Sequence, residues 1–334
     1  MKKHRTQIDG ILRLTRYREY VSFVVVSTCL GTIAAYGQLG WQLLVVLLAN
    51  ELAVAFAFMI NDVEDAADDA LDAAKARRNP VSAGMISRRT AYIASFIVAA
   101  LSAALYALLG TGPFVIGTAC LLIAFLYSWR PVRLKSIPFI DLISHALMLA
   151  GLQFAAAYFT FSSTLGPRFF WPFVMAIGIS AYGELFNELR DLEGDIRAGV
   201  THTASVLGPR AARHLATICF SIGACAAFVL LFIVQVVPLW VLALLAISAL
   251  ILALRPLLRS RQGGSFVAAQ APFHKPVEIA AAFALTVRVV GPWASSTANV
   301  VMQSSFGALI LAQPWMQPLI RLWQFQPEHL LRLF

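Results

Sequence analysis

Eleven of the 17 acidic residues fall in two short segments. The first, "NDVEDAADDALD", holds Asp62, Glu64, Asp65, Asp68, Asp69 and Asp72. The second, "GELFNELRDLEGD", holds Glu184, Glu188, Asp191, Glu193 and Asp195. Asn61, Asp65 and Asp69 stand at i, i+4 and i+8, and Asn187, Asp191 and Asp195 repeat that spacing 126 residues later. On a helix each triplet lies on one face, drifting by about 40° per step. A set of carboxylate and amide oxygens suits a hard cation, Mg2+ above all. Mg2+ is usually held by one or two carboxylates together with substrate phosphates. Two such faces could hold two ions that bridge one diphosphate. The nearby Lys75, Arg77, Arg78, Arg133 and Lys135 could take the remaining phosphate oxygens. Glu64, Asp68, Asp72 and Glu193 fall off the triplet faces and are expected to be solvated charges. Glu184 and Glu188 are open between the two readings.

The elements that position these residues are apolar spans. Of 334 residues, 59% are hydrophobic and 13% charged, and the mean hydropathy is +0.75. A soluble domain has about 25% charged residues, so this composition excludes that class and excludes disorder. A span needs about 20 mostly apolar residues. Nine windows qualify: 20–36, 41–60, 91–110, 113–129, 140–161, 171–187, 214–236, 238–254 and 277–294. Each acidic triplet follows an even-numbered span, and each is followed by a basic stretch and a tight hairpin. The expected fold is therefore all-α and polytopic. It has two four-helix pseudo-repeats plus a ninth helix, in a single domain over residues 1–294. The tail 295–334, with Trp315, Trp323, Phe325 and Phe334, fits an interfacial helix.

The basic residues test this count. With alternating loops, 22 of the 26 Lys and Arg residues fall on one side. The exceptions are Arg168, Arg288, Arg321 and Arg332. The positive-inside rule then puts the N-terminus and the acid-bearing loops in the cytoplasm and the C-terminus outside, in a cell inner membrane. The net charge of +9 is spent on those loops, so no nucleic-acid partner is expected. No removable signal peptide is read before the first span. Cys29, Cys120, Cys219 and Cys225 lie in apolar runs without metal-ligand spacing.

These residues resemble the UbiA superfamily of intramembrane prenyltransferases. Asn61, Asp62, Asp65 and Asp69 match its first motif, N-D-x-x-D-x-x-x-D, and Asp191 and Asp195 match its second, D-x-x-x-D. The family's R-P-x-x-x-G segment corresponds to "RRNPVSAG", where Asn79 separates Arg78 from Pro80. Its Y-S-x-P-P-x-x-x-K loop corresponds to "YSWRPVRLKSIP", with Arg130 at the first proline position. The resemblance covers roughly residues 13–293. It implies a nine-span bundle whose site is capped by the cytoplasmic loops after spans two and six. It implies Mg2+-dependent transfer of an isoprenyl chain from an isoprenyl diphosphate to a hydrophobic or aromatic acceptor, by family default a quinone precursor, within the lipid bilayer. Carried over by position, the catalytic acids would be Asp65, Asp69, Asp191 and Asp195. The metal donors would be Asn61, Asp62, Asp65, Asn187, Asp191 and Asp195. The diphosphate contacts would be Lys75, Arg78, Tyr127, Arg133 and Lys135, with Tyr127 near the reacting carbon or the leaving oxygen.

Such chemistry needs a dry, aromatic-walled site, because a cation-like allylic carbon is captured by water. Phe56, Phe58, Phe125, Phe154, Tyr158, Tyr182 and Phe186 lie in the relevant spans, as packing or as cation walls. A carboxylate could take the acceptor's proton, and the residues do not single one out. His145 reads as a packed histidine or an acceptor contact. His202 reads as part of the capping loop, and Glu278 as an anchor of the last span. A cation-coupled transporter is the competing class, since paired acids also bind coupling ions. A phospholipid-type phosphotransferase lacks its D-G-x-x-A-R signature here.

The charge alternation generates a labelling test. With the native cysteines replaced, Val200→Cys should react with an impermeant thiol reagent only from the cytoplasmic side, and Gly112→Cys only from outside. Labelling of both from one side contradicts the alternation.

Overall fold

The computed structural model describes residues 2–197, 199–234, 236–259 and 274–291, and all regular structure among them is helical. The predicted tail 295–334 lies outside the described residues. In chain order the helices are α1 (Lys2–Thr15), α2 (Val21–Ala34), α3 (Trp41–Asp69), α4 (Ala73–Arg78), α5 (Arg88–Leu108) and α6 (Thr111–Ser128). Then come α7 (Ile140–Ala146), α8 (Leu152–Phe161), α9 (Pro167–Arg197), α10 (Thr203–Phe228) and α11 (Leu239–Arg259). A last helix, α12, covers 274–291.

Six helices are long and apolar enough to cross a membrane: α3, α5, α6, the continuous α7–α8, α9, and α10 with its following turn. Two more apolar helices, Val21–Ala34 and Trp240–Ile251, are shorter. Each of the nine expected windows contains helix, and six of them meet both criteria. The outward residues are apolar. Ile93, Phe96, Ile97 and Leu101 on α5 and Ile218, Phe220 and Ile222 on α10 are exposed. That is the reverse of a water-facing surface and fits a lipid environment.

The two long acid-bearing helices carry the design. α3 has neither Gly nor Pro over its 29 residues, so the helix runs unbroken from its apolar start to Asp69. At 1.5 Å per residue that is about 43 Å, longer than the hydrocarbon core of a bilayer of about 30 Å. Its last turns therefore emerge with the first triplet already on one face. α9 carries the second triplet over 31 residues, and its Pro172, which removes one ladder hydrogen bond, lies more than four turns before the acids. Each acid-bearing helix packs mainly on the next long helix in sequence, α3 on α5 and α9 on α10. The halves interlock where α8 packs on α2 and α6.

Two features fix that interlock. At Gly31 an added Cβ would sit 2.5 Å from the backbone oxygen of Phe154 and 2.8 Å from Cβ of Ala157, so only glycine lets α2 approach α8 this closely. Beside it lies a buried polar network. Asn50 Nδ2 donates to Thr28 Oγ1 at 2.8 Å and to the Gln153 carbonyl at 3.2 Å. Tyr106 donates its hydroxyl to Asn50 Oδ1. One fully buried amide thus ties α2, α3, α5 and α8 together.

α7 and α8 join through a π turn, Leu147–Gly151. The loosened Met148 carbonyl accepts from Cys120 Sγ and Gln153 Nε2, both at 3.1 Å. The wide turn changes the register of the helix face, so residues before it and after it face different neighbours.

Gly31→Ala should therefore lower the thermal midpoint in detergent by the equivalent of about 1–3 kcal/mol, because backbone cannot move aside. Gly183→Ala, where a Cβ meets open space, should cause no loss. Equal behaviour of the two would contradict the close approach of α2 and α8.

Candidate active site

The first triplet faces a cationic loop. The loop leaves α6 at Ser128 and runs through a 3-10 turn, Leu134–Ser136, to α7. Asp65 lies between two of its cations, 3.2 Å from Arg133 and in contact with Lys135 Nζ. Lys135 can only donate, so the Asn61 amide oxygen is assigned to face it. In that orientation the oxygen is 2.9 Å from Lys135 Nζ and 3.2 Å from Ser128 Oγ, and the amide nitrogen donates to Asp65. Asn61 and Asp65 thus share one polar cluster, as their spacing predicts.

The neighbouring acids distribute differently. Asp62 is buried and faces Arg16 at 3.4 Å, with Oδ2 left without a partner. Asp69 turns to the following loop, where Asn79 Nδ2 donates to it at 2.9 Å and to the Asp62 carbonyl at 2.7 Å. Asn79, the residue that interrupts the sequence motif, is thus the clamp between helix and loop. Asp68 stands off the triplet face as predicted but is paired with Arg130 and Arg133, at 3.1 and 3.2 Å. Glu64 is not the solvated charge that its position suggested. It is buried against α5, where Tyr92 donates to it and Arg88 lies 3.6 Å away. The helix face opposite the triplet is covered by α5, and periodicity alone could not reveal that cover.

Arg16 and Arg133 both reach these acids from left-handed backbone, with φ of 51° and 45°. That conformation is uncommon for non-glycine residues and is kept where surrounding contacts demand it. Arg16 also lies 4.7 Å above the Phe58 ring and pairs with Glu19. Burial disfavours ionisation of Glu19, but the charges of Arg16, Arg78 and Lys275 outweigh it and hold its pKa below the usual carboxylate range. Lys75, Arg77 and Arg78 on α4 are exposed, and the charge of Arg78 acts on Asp62 and Glu19.

The second triplet is more open. Asn187 and Asp191 are exposed, and Asp191 is paired through both oxygens with Arg190 beside it, at 3.0 and 2.9 Å. Asp195 lies 3.3 Å from His202 Nε2. His202 stands at the N-cap position of α10. Its Nδ1 lies 3.2 Å from both Glu188 Oε2 and the Ser205 amide. One nitrogen cannot serve an acceptor and a donor at once. Burial lowers the affinity of this ring for a proton, but Asp195 and Glu188 override that and raise its pKa to about 9. The ring is therefore an imidazolium at neutral pH, and the carboxylates are its partners.

The first amides of α10 are held by acids from other helices. The Thr203 amide and hydroxyl donate to Asp141 on α7, the amide at 2.6 Å, and the Ala204 amide donates to Glu188 at 2.8 Å. Five residues later Gly208, at φ 76°, and Pro209 kink the helix. Glu184, one turn before the triplet, faces inward. It accepts from Tyr127 of α6 at 2.8 Å and lies 3.1 Å from His145 of α7. This three-helix cluster was not visible in the sequence, which left Glu184 undecided and His145 between packing and contact. The aromatic residues singled out above mostly pack on other rings: Phe154, Tyr158 and Phe56 are buried, and Phe186 packs tilted against His274.

Among the described residues no three His, Cys, Asp or Glu side chains converge as a self-contained metal site. The donors at both triplets are carboxylates and amides set among cations. That composition fits an ion completed by substrate phosphates and does not fit a closed protein cage. The fold and site together define a polytopic helical membrane protein with two acid-bearing helix ends beside basic loops. The chain belongs to the UbiA prenyltransferase family, whose model matches residues 23–274. It is 29% identical over 194 residues to a digeranylgeranylglyceryl phosphate synthase of Thermococcus gammatolerans, covering 56% of this chain and 65% of that one. A relative of the same name from Pyrococcus abyssi is 25% identical over 195 residues, covering 57% and 66%. The chain thus spans just under two thirds of the length of these relatives. A UbiA homolog from Archaeoglobus fulgidus, solved bound to GPP and Mg2+, superimposes with a TM-score of 0.61 at 25% identity, over 83% of this chain and 99% of that one. An apo UbiA homolog from Aeropyrum pernix, at 17% identity and a TM-score of 0.62, covers 82% and 98% and shares the fold.

Two acids test this arrangement. Asp141→Ala strands the buried Thr203 amide and hydroxyl and should cost about 1–3 kcal/mol of stability. Asp68→Ala removes only half-exposed ion pairs and should cost at most about 1 kcal/mol. Thermal midpoints in detergent compare them, and a larger loss at Asp68 would contradict the assignment.

Proposed function

We propose that this protein transfers an isoprenyl chain from an isoprenyl diphosphate to an acceptor, with Mg2+, at the cytoplasmic face of the membrane. The observation that carries this reading is Asp65 held between Arg133 and Lys135 beside Asn61. Family membership and the GPP-bound relative support it. The helix order, with α3 on α5 and α9 on α10, supports nine spans in two four-helix pseudo-repeats. The charge alternation supports a cytoplasmic N-terminus. The transporter alternative has no observation in its favour.

Asn61, Asp62, Asp65, Asn187, Asp191 and Asp195 are the oxygen donors that would hold Mg2+. The metal when bound offsets charge developing on the departing diphosphate. The chain's own cations do the rest of that work. Arg133 and Lys135 exchange carboxylate partners for phosphate oxygens, which are bidentate acceptors of comparable geometry. Arg78 and Lys75 on the exposed α4 add to the same anion site. Asp69, clamped by Asn79, keeps the loop closed over the helix end. Tyr127, which stands at the end of α6 and donates to Glu184, would lie near the reacting carbon. The tightly packed aromatic core below excludes water from the carbon that loses its leaving group.

The names of the curated relatives favour an acceptor hydroxyl on a glyceryl phosphate. No observation here favours the aromatic quinone default.

Diphosphate release from a labelled donor tests the reading. Release should vanish with excess chelator. Asp65→Ala and Asp191→Ala should each cut turnover severely, and the double variant should be little worse than the worse single, since groups that act as a unit are strongly non-additive. Independent, multiplying losses would mean that the two clusters do not share one substrate. Ion-driven uptake without diphosphate release would point to the transporter.

A further inference from the structure

Three acids, Glu184, Glu188 and Asp141, lie on α9 and α7. Two of them are committed elsewhere. Asp141 accepts from the Thr203 amide and hydroxyl and from the Leu142 amide. Glu188 accepts from the Ala204 amide and faces His202. Glu184 alone receives the Tyr127 hydroxyl, at 2.8 Å on Oε1. Its other oxygen, Oε2, lies 3.1 Å from Nε2 of His145. A ring nitrogen that close to a carboxylate carries the hydrogen, so Nδ1 is left facing the Ser180 hydroxyl at 3.5 Å. The three side chains come from α6, α7 and α9. They are only 8%, 15% and 14% exposed, shielded from bulk solvent yet within reach of a bound molecule. The π turn begins two residues after His145, and such turns recur where a helix re-aims a functional side chain.

We propose that Tyr127, Glu184 and His145 form the proton exit for a hydroxyl-bearing acceptor. This rests on the prenyl-transfer reading above. The acceptor oxygen forms the new bond to the allylic carbon, and the bond from that carbon to diphosphate breaks, its electron pair leaving with the diphosphate. The acceptor's proton passes to Tyr127 Oη as the tyrosine's own proton passes to Glu184 Oε1. Tyr127 is the residue that touches the acceptor. Glu184 takes the proton through it, and His145 is a positioning residue that holds Oε2 so that Oε1 is aimed at the phenol. Glu184 stands three residues before Asn187, one turn inward from the metal-facing triplet. The relay is thereby separated from donor ionisation, and the two can be lost independently.

The test partitions products. Full-length protein in detergent or vesicles is given labelled geranylgeranyl diphosphate and a singly geranylgeranylated glyceryl phosphate, which differs from the relatives' named product by one chain. Ether product, prenyl alcohol and diphosphate are measured together. Glu184→Gln and Tyr127→Phe should lower ether formation by at least about 100-fold, the usual weight of a positioned base. In Glu184→Gln, Mg2+-dependent diphosphate release should continue, with the alcohol taking a larger share. His145→Ala should fall in the same direction, and His145→Gln, which restores an N–H at the same reach, should recover part of the loss. A purely structural role would lower ether and alcohol together and leave their ratio unchanged, and that result overturns the relay. Ether formation at the wild-type rate by Glu184→Gln overturns it equally. Wild-type protein that releases no diphosphate and prenylates no acceptor overturns the prenyl-transfer reading itself.

Discussion

A carboxylate at the end of an apolar helix must be met by a cation or by hydrogen-bond donors. Left alone in a low-dielectric setting it costs several kcal/mol. Most of the architecture around α3 and α9 answers that constraint. Asp65 is met by Arg133 and Lys135 from the loop after α6. Asp62 is met by Arg16 from the segment before α2, Asp69 by Asn79, and Glu64 by Tyr92 and Arg88 of α5. Each partner lies on a different element, so compensating these acids also fixes the loops over the helix end. The same pairs are exchangeable. Under the proposed prenyl transfer, phosphate oxygens would take the place of these carboxylates at Arg133 and Lys135, and the carboxylates would then be free to hold Mg2+.

The two acidic ends are alike in spacing and unlike in compensation. The first is enclosed by a cationic loop. On the second, Asp191 relies on Arg190 of its own helix, and Asp195 relies on the imidazolium of His202. His202, Glu188 and Asp141 also terminate α10, so the capping of a helix and the neutralisation of a site are one arrangement. A change in charge there is felt by the fold as well as by the chemistry.

Deeper in the bundle the constraint reverses. Asn50, Thr28, Tyr106 and the Gln153 backbone carbonyl are joined by hydrogen bonds without charge. Close approach at Gly31 holds α2 on α8, so the halves are locked by neutral hydrogen bonds and backbone contact. Rigidity below and exchangeable ion pairs above is a division suited to a site that must open to a charged substrate yet keep water from its carbon.

The sequence by itself determined a good deal. Run length placed nine windows that each contain helix, though it did not mark α1 or α4, and the N-x-x-x-D-x-x-x-D spacing put Asn61 and Asp65 in one polar cluster. Those signals are local: periodicity follows from helical geometry, and a basic loop from the membrane. What faces a given side chain across the bundle is not local. Glu64 and Asp68 have similar sequence surroundings, yet α5 buries one and the loop cations hold the other half-exposed. Asn79 read as an interruption and is a clamp. His145 stands 18 residues after Tyr127 and Glu184 another 39 on, and nothing in their spacing relates them. Only the packing of α6, α7 and α9 sets one carboxylate between a phenol and an imidazole, because that contact depends on how three helices are rotated about their own axes.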